Sequence, residues 1–447
     1  KVMVAIEEVT RGQQVKVASL GITSMAESGL LIDQHTGQCR SMIIPWFDRR
    51  TETIAQFIQK EFDPVEHFKK TGIRNNYKHG LAKLLWLKQE NPDLLSNGKW
   101  LSTSDYIAYK LTGEIGTDYS LAARTFAFRI DKKQWDKDWI KHFGLHPSLF
   151  PEARQSGVKV GEINTDSFKR IGLNKGVPVA VSGHDHVCAA FAVGAIKTGV
   201  VSDSIGTAET LVGCLNERVL TTEDYQSGFN FGVHVVPNRL FWMGAIQSSG
   251  GSVEWIRNQL SGQSLSYEQI NRLLESTPKE PTGILYYPYL AGSGSPKADP
   301  LAKGAFIGLT ASHEQGDMLR GLLEGTAFEF EYMRKTIESL NIASISKLIA
   351  TGGGTKNKHW MQIKADVSNC TITIPPVVEA TLLGAALIAG LGCGLYRDEE
   401  EVMQLINDSD KVQVHPNNAN HQKYKRLFNE GYLPLQQPLR NFYQKEW

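Results

Sequence analysis

The sequence has few cysteines and no excess of either charge. Its 447 residues include five Cys, none of them in a C-x-x-C pair, so neither a zinc site nor a disulfide framework is indicated. Its 48 basic and 47 acidic residues give a formal net charge of +1, which makes nucleic acid and anionic membranes poor candidates for partners. We therefore expect a protein of a reducing cytoplasm.

Long apolar runs are also missing. None reaches the roughly 20 residues that a membrane-spanning helix needs. The nearest stretch, residues 380–393, is shorter and dotted with glycine, and it predicts a packed helix. No signal peptide is visible. The composition is typical of a globular protein, and the length allows about two domains.

Two common nucleotide-binding motifs are absent from the glycine-rich stretch TGGGTKNKHW, which follows a predicted strand at residues 347–351. No Gly-Lys-Ser/Thr follows, and Asn357 stands where the last glycine of G-x-G-x-x-G would be. Gly353 and Gly354, between a strand and a helix, nevertheless favour a ligand that lies flat on the backbone. The alternative is a flexible turn.

The chain does not begin with Met, and it opens directly in the strand-like sequence KVMVAIEEV. Further strands are predicted over Val15–Ile22 and Gly29–Asp33, flanking the loop TSMAES. From this opening we expect that a segment upstream of Lys1 is missing from the chain.

The rest of the pattern indicates mixed α/β structure with strand–glycine loop–helix units in the second half. Residues 52–150 are expected to be largely helical, with Gly113 as a helix C-cap. The domain junction is expected near residues 194–199. The remaining predicted elements are a strand over Gly176–Gly183, two short strands within Val200–Gly213, a long amphipathic helix over Asp317–Leu340 and a strand over Lys347–Thr351.

An Asp flanked by two His interrupts the small apolar run VSGHDHVCAAFAVGA. Asp185 follows a predicted strand, so it could be a helix N-cap or a general base at the carboxyl end of a strand. His184 and His186 also suggest a metal site, but neighbouring residues at a strand end point in opposite directions, which disfavours one shared ion.

Weaker signals lie elsewhere. Gly206 and Thr207, in IGTAET, form a turn whose amides could bind phosphate oxygens, although an ordinary hairpin turn has the same pattern. Carboxylates and aromatic rings suit a polyhydroxyl ligand, but each alone is more often a solvated loop residue or an ordinary core residue. These carboxylates and rings are Glu27, Trp46, Asp48, Asp118 and Tyr119.

Ten stretches, taken together and in this order, resemble the FGGY carbohydrate kinases, the group that holds glycerol kinase, xylulokinase and gluconokinase. The resemblance covers about residues 15 to 400. The stretches are GITSMAESGLLID, MIIPWFDRRT, DYIAYKLTGEIGTDYSLAARTF, VSGHDHVCAAFAVGA, SIGTAET, YYPYLAGSGSP, KGAFIGLT, LLEGTAFEFEYMRK, ATGGGTKNKHWMQIKADV and EATLLGAALIAGLGCG.

The resemblance implies an α/β fold of two actin-like ATPase (ribonuclease H-like) domains with a catalytic cleft between them. The expected domains are residues 1–194, which bind the sugar, and 195–447, which bind the nucleotide. ATP and Mg²⁺ are implied, with Asp185 as the base that deprotonates the acceptor hydroxyl while the γ-phosphoryl group transfers in line.

The resemblance also assigns binding residues. Gly206 and Thr207 match the second phosphate-contacting hairpin. Gly353, Gly354 and Asn357 match the adenosine side, with Gly384 and Ala385 packing close by. The residues implied to contact the sugar are Glu27, Trp46, Tyr119 and His186.

The chain departs from the family pattern in three places. No Asp-x-Gly-Thr phosphate hairpin precedes Val15, so the expectation is a fragment, with a degenerate kinase as the alternative. Ala26 precedes Glu27 where glycerol kinases have Arg-Glu, and xylulokinases have Gln-Met-His-Gly in this loop. YLAGSGSP lacks the usual Glu-Arg. The substrate therefore stays open among sugars, ketoses, polyols and sugar acids.

Three functions compete. The leading one is an ATP-dependent carbohydrate kinase that closes over its substrates to exclude water. The second is a non-catalytic sugar- or nucleotide-binding relative of these kinases, and the third is a zinc hydrolase using His184, Asp185 and His186. A homodimer is expected only as the commonest oligomeric state.

Overall fold

The computed structural model describes residues 1–11, 16–260, 263–340, 344–407 and 410–445. The elements up to residue 192 are α1 Val2–Thr10, β1 Leu20–Ser24, β2 Gly29–Asp33, α2 Glu52–Ile58, α3 Pro64–Thr71, α4 Gly80–Glu90, β3 Gly98–Ser102, α5 Thr103–Thr112, β4 Thr117–Asp118, α6 Tyr119–Ala122, β5 Phe128–Arg129, β6 Gln134–Trp135, α7 Lys137–His142, β7 Ala153–Arg154, β8 Lys159–Glu162, β9 Pro178–His184 and α8 Asp185–Ala192. Gly113 ends α5 in the left-handed conformation, as predicted.

The N-terminal stretch is a helix, so the strand predicted there is wrong. Met3 and Ile6 of α1 are partly buried against a core cluster, and the Thr10 hydroxyl donates to the carbonyl of Ile171 at 2.8 Å. These three positions share one helix face, and packing along that face outweighs the strand propensity of the valines. Val15, the predicted start of the next strand, lies outside the described residues, and β1 begins at Leu20.

A small sheet in this first region has the order β1-β9-β8. Strands β1 and β9 are parallel neighbours, and their pairing runs to Ser24 beside His184. The carboxyl ends of both strands therefore lie at one edge of the sheet. The loop that carries Glu27 and the helix that begins at Asp185 both leave from this edge.

The second region carries the remaining elements. These are β10 Val200–Ile205, β11 Glu209–Asn216, α9 Thr222–Gln226, β12 Asn230–Val233, β13 Arg239–Ile246, α10 Gly250–Gln259, α11 Tyr267–Ser276, β14 Leu285–Tyr287, β15 Ala305–Ile307, α12 Gln315–Ser339, β16 Lys347–Thr351, α13 Lys358–Ser368, β17 Thr371–Ile374, α14 Ala380–Gly392, α15 Glu399–Asn407, β18 Val412–Val414, α16 Asn418–Leu427 and α17 Leu433–Tyr443.

Seven of these strands form one sheet, in the order β12-β13-β11-β10-β16-β17-β18. The antiparallel β10–β11 pair confirms the hairpin predicted within residues 200–213. Strands β10 and β16 are parallel neighbours, paired as far as Ser204 beside Thr351. Their carboxyl ends also meet at one edge, which brings the turns after Ile205 and after Thr351 together.

Helix α14 joins the two regions. The side-chain hydroxyl of Ser182 on β9 donates to the carbonyl of Ala385 on α14 at 2.8 Å. A Cβ at Gly384 would lie 1.9 Å from the carbonyl oxygen of Cys188 on α8, so only glycine allows this approach. Within the described residues, no helix is long and apolar enough to cross a membrane. All five cysteines are unpaired.

Candidate active site

Asp185 is the first residue of α8, directly after β9. The helix N-cap is His184, so the N-cap interpretation of Asp185 does not hold. Its Oδ1 accepts the backbone N–H of His186 at 2.7 Å and lies 3.0 Å from Nδ1 of His184. Burial raises the pKa of Asp185, but the hydrogen bond and charge of His184 and the charge of His186 hold it below its usual value overall. The result is an ionised, 29% exposed carboxylate at a strand end.

The half-buried ring of His186 follows Asp185 directly. Burial is the main cause that lowers the pKa of its ring, and the charges of Asp185 and Glu27 only partly oppose it. The rings of His184 and His186 are 5.7 Å apart. Among the described residues, no three His, Cys, Asp or Glu side chains are grouped to hold a metal ion. The zinc-hydrolase alternative therefore has no support from the arrangement of these side chains.

Glu27 lies in the turn between β1 and β2, and a buried arginine neutralises it. Nε of Arg124 donates to Oε1 of Glu27 at 2.8 Å, and Nζ of Lys78 lies 3.8 Å from the same oxygen. Burial alone would raise the pKa of Glu27, but Arg124 and then Lys78 hold it well below its usual range. Nη1 of the same guanidinium is buried and has no hydrogen-bond partner among the described residues.

A buried lysine ties the Glu27 loop to the loop that carries Trp46. Nζ of Lys83 donates to the carbonyls of Glu27, Ile44 and Pro45. The backbone N–H of Trp46 also donates to the hydroxyl of Ser28 at 3.1 Å. The Trp46 ring is 44% exposed. Trp46 thus presents an aromatic face from a loop that is bound to the loop of Glu27.

Tyr119 is held beside the end of β9 by its neighbours. Ser120 accepts the backbone N–H of His184 at 2.8 Å and donates to Asp118 at 2.6 Å, and Ser156 donates to the same carboxylate oxygen. Asp118 is therefore a buried anchor rather than a free ligand group. The Tyr119 ring is half-buried, 5.8 Å from the ring of Phe128.

Asp48, another acidic residue singled out in the sequence, is engaged on the surface. Its two carboxylate oxygens accept from the guanidinium of Arg50 at 2.6–2.9 Å. It therefore offers little free capacity to a ligand.

The two glycine turns of the second region line one cavity of about 420 Å³. Gly206 and Thr207 come from the β10–β11 hairpin, and Gly353, Gly354 and Asn357 come from the turn after β16. All five predicted nucleotide-binding residues therefore lie together. The physical reason is the parallel pairing of β10 and β16, which puts both turns at one sheet edge.

The same cavity has walls that the sequence reasoning missed. Its additional lining residues are Ile205, Gly250, Val253, Glu254, Tyr267, Asn271, Lys356 and Trp360. A Cβ built on Gly353 would meet no atom within 4 Å, so any side chain there would take free space at the cavity. Backbone turns beside apolar and aromatic walls are suited to a phosphorylated ligand with a flat ring system.

Gly384 and Ala385 were expected to pack close to the adenosine side, and Arg124 and Lys83 were not predicted to take part in either site. Gly384 and Ala385 do not line this cavity; they contact α8 and β9, as described above. Arg124 and Lys83 were not singled out, because their partners are 97 and 56 residues away in the chain. One signal was available in the sequence for Arg124: a charged residue inside the small apolar stretch SLAART needs a partner.

Two family models match the chain. The N-terminal domain of the FGGY family of carbohydrate kinases matches residues 1–192, and the C-terminal domain of the same family matches residues 204–393. The xylulose kinase of Lactococcus lactis is 29% identical over 439 residues, which are 95% of this chain and 85% of that protein.

Solved structures show the same fold. A ligand-bound xylulose kinase from Lactobacillus acidophilus superposes with a TM-score of 0.90 at 22% identity, covering 99% of this chain and 88% of that one. A glycerol kinase from Plasmodium falciparum with ADP gives a TM-score of 0.87 at 24% identity, covering 97% and 88%. The predicted two-domain α/β architecture is confirmed.

Proposed function

The chain belongs to the FGGY family of carbohydrate kinases and is thus a phosphotransferase acting on an alcohol group, and we propose that Asp185 is its general base. Two observations together carry the proposal. An ionised Asp185 lies at the end of β9, and a cavity lined by two glycine turns lies at the ends of β10 and β16. The first edge supplies acceptor activation, and the second supplies nucleotide binding.

In the proposed reaction, a substrate hydroxyl oxygen attacks the γ-phosphorus of ATP. The bond from that phosphorus to the β,γ-bridging oxygen breaks, ADP leaves, and the hydroxyl proton passes to the carboxylate of Asp185. Because the pKa of Asp185 is held below its usual value, this carboxylate is free of a proton at neutral pH. We assign the sugar contacts to Glu27, Trp46, Tyr119 and His186.

The cavity of the second region is assigned to ATP. The turn at Gly206 and Thr207 contacts the phosphates, and Gly353, Gly354 and Asn357 contact the adenosine. Mg²⁺ is expected to bind together with the nucleotide, coordinated by its phosphate oxygens, because proteins commonly hold this ion through substrate phosphates and few ligands of their own. The ion would neutralise the charge that develops during transfer.

The charges around Glu27 do not select between a neutral polyhydroxyl substrate and a sugar acid. Glu27 and Asp185 are negative, Arg124 and Lys78 are positive, and the ammonium of Lys83 is bonded to the carbonyl of Glu27. Xylulose, ribulose, erythritol, glycerol and gluconate are therefore tested together.

The test is ADP release by the natural full-length protein with each of these compounds. The wild type is expected to release ADP with at least one of them. Asp185→Asn is expected to lower kcat by about 10²–10⁴-fold, the usual contribution of general base catalysis, while sugar binding and the melting temperature change little. Asp138→Asn is the matched control, since Asp138 is an exposed Asp in the first turn of α7.

Two outcomes would count against the proposal. Near-normal turnover in Asp185→Asn would remove its role as base. Sugar binding without ADP release for any compound would favour the alternative, a non-catalytic relative of these kinases.

Three further expectations stay proposals. These are a division of the chain into domains 1–194 and 195–447, a cytoplasmic location and a homodimer. Limited proteolysis near residue 194 tests the first, and sedimentation equilibrium tests the third.

A further inference from the structure

A buried cluster of charges lies beneath the nucleotide cavity. Nζ of Lys364 is 2.6 Å from Oδ2 of Asp203 and 2.6 Å from Oε1 of Glu209. The other carboxylate oxygen of Glu209 accepts from the hydroxyl of Ser249 at 2.6 Å. The three charged side chains are at most 1% exposed. None of them lines the cavity, so the cluster is not part of the assigned binding surface.

Burying these three charged groups in the core carries a large desolvation penalty. Two buried carboxyl groups share one ammonium, and Oδ1 of Asp203 has no hydrogen-bond partner among the described residues. Replacing a buried ion pair by apolar side chains is often neutral or stabilising. Stability is therefore a poor explanation for these charges, and a positioning role is the better one.

Lys364 joins the two strands of the phosphate hairpin at its base. Asp203 lies on β10 before the turn, and Glu209 is the first residue of β11 after it. The turn residues Gly206 and Thr207 lie between them. A single ammonium group therefore bonds to a side chain on each of the two strands that carry the turn.

The cluster also reaches a third wall of the cavity through Ser249. This residue is the N-cap of α10. The first residues of that helix donate to the turn: the N–H of Gly250 to the carbonyl of Gly206 at 3.0 Å, and the N–H of Gly251 to the carbonyl of Thr207 at 2.9 Å. The hydroxyl bond to Glu209 thus ties the start of α10 to the hairpin.

Lys364 itself lies on α13, which forms the opposite wall. That helix is capped by Asn357, whose side-chain oxygen accepts the N–H of Trp360 at 3.0 Å. Asn357 and Trp360 both line the cavity. Lys364 follows Trp360 by four residues, on the same side of the helix. Its side chain therefore connects the wall assigned to adenosine with the hairpin assigned to phosphate.

We propose that Lys364 is a positioning residue that fixes the phosphate hairpin against α13, acting through Asp203 and Glu209. The proposal rests on the assignment of this cavity to ATP. It states that loss of the lysine moves the Gly206–Thr207 turn relative to Asn357 and Trp360, so that phosphate and adenosine contacts can no longer form together.

The experiment compares Lys364→Met and Lys364→Arg with the wild-type protein. Lys364→Met is expected to raise KM for ATP at least about tenfold and to weaken ADP binding equally in calorimetry, with KM for the sugar changed less than twofold. Lys364→Arg keeps the charge and is expected to recover much of the affinity.

A triple variant, Lys364→Met with Asp203→Asn and Glu209→Gln, separates positioning from charge balance. It removes all three charges, so its melting temperature is expected to recover while its affinity for ADP stays low. Recovery of both would overturn the proposal. The same holds if Lys364→Met lowers the melting temperature but leaves ADP binding within twofold of the wild type.

A matched control exists in the same region. Arg320 is buried and bonded to Glu324 at 3.1 Å. Its other hydrogen bonds go to Lys279, Glu280 and Tyr424 rather than to the phosphate hairpin. Arg320→Met is expected to lower the melting temperature with unchanged KM for ATP. If Lys364→Met does not fold, Glu209→Ala tests the same link, because it removes the bonds to Lys364 and Ser249 and leaves Lys364 paired with Asp203; unchanged ADP binding in that variant would overturn the proposal.

The two proposals fail in different ways. A wild-type protein that binds neither ATP nor ADP would overturn both of them. If the wild-type protein binds ADP and Lys364→Met binds it with the same affinity, this inference alone would be overturned.

Discussion

The two candidate sites occupy equivalent positions in their sheets, but different kinds of residue form them. Each lies where two parallel neighbouring strands end: β1 and β9 in the first region, β10 and β16 in the second. At the first edge, charged side chains such as Glu27, Arg124 and Asp185 make the site. At the second edge, glycine turns make the cavity surface, and the ion cluster around Lys364 is hidden beneath it.

The difference is consistent with the two ligands proposed for these sites. A small polyhydroxyl compound presents hydroxyl groups, which fixed carboxylates and donors recognise. A nucleotide presents phosphates, which backbone N–H groups bind well when no side chain intervenes. The first site should therefore be sensitive to loss of a charge, and the second to gain of a side chain. The predictions below test that contrast, from the largest expected effect to the smallest.

The largest effect is expected from Arg124→Met. It leaves Glu27 charged and buried with only the more distant Lys78 as a counter-charge on its carboxylate, which is expected to cost about 3–5 kcal/mol of stability and to abolish sugar binding. Chemical denaturation and sugar titration measure the two effects. Arg129→Met is the control, because its pair with Asp131 lies at the surface and should contribute at most about 1 kcal/mol. Equal losses in both variants would contradict the prediction.

A side chain at Gly353 is expected to act only on the second site. Gly353→Val adds atoms where no protein atom lies within 4 Å of the Cβ position, so the fold is retained. ATP binding is expected to fall by about 10–100-fold, equivalent to about 1.4–2.8 kcal/mol, with sugar affinity unchanged. Gly353→Ala is the graded control and should lose less. A fall in sugar affinity would show that the two sites are not separable.

The cluster beneath the second site is expected to make stability depend on pH. Burial, and then repulsion from Glu209, raises the pKa of Asp203 to about 7 from a usual value of 3.8. The folded state therefore binds more protons than the unfolded state between these values, and stability falls as pH rises through that window, by at most about 1.4 kcal/mol per unit.

Denaturation at pH 5, 6, 7 and 8 checks this, with Asp203→Asn as the comparison. The variant lacks the titrating carboxyl group and should show a shallower fall. Parallel curves for the two proteins would mean that Asp203 does not titrate in this range.

The smallest effect is expected at an exposed ring of the first site. Trp46→Ala should raise KM for the sugar a few-fold, consistent with about 0.5–1.5 kcal/mol for aromatic contact, without a change in stability. Trp255→Ala removes a comparably exposed indole from the second region and should leave the sugar KM unchanged. If Trp255→Ala raised the KM for the sugar and Trp46→Ala did not, the assignment of Trp46 as a sugar contact would be wrong.

Local signals predicted much of the fold and most of the second site. The hairpin around Gly206, the strand before Gly352 and the long helix α12 follow from residue spacing and turn chemistry, which act over a few residues. The N-terminal helix was missed because apolar β-branched residues suit a strand as well, and its contact with Ile171 is far away in sequence. Asp203 offered a signal that was not used, since a charge inside a buried strand needs a partner.

The sequence by itself determined the family, the glycine turns with the strands that precede them, and the residue types at each candidate site. These depend on local propensity and on motifs in a fixed order. Only the tertiary structure decided the partners: Arg124 for Glu27, Lys83 for the loops of Glu27 and Trp46, and Lys364 for Asp203 and Glu209. A buried charge must find a counter-charge wherever the packed chain supplies one, and that position depends on packing rather than on spacing along the sequence.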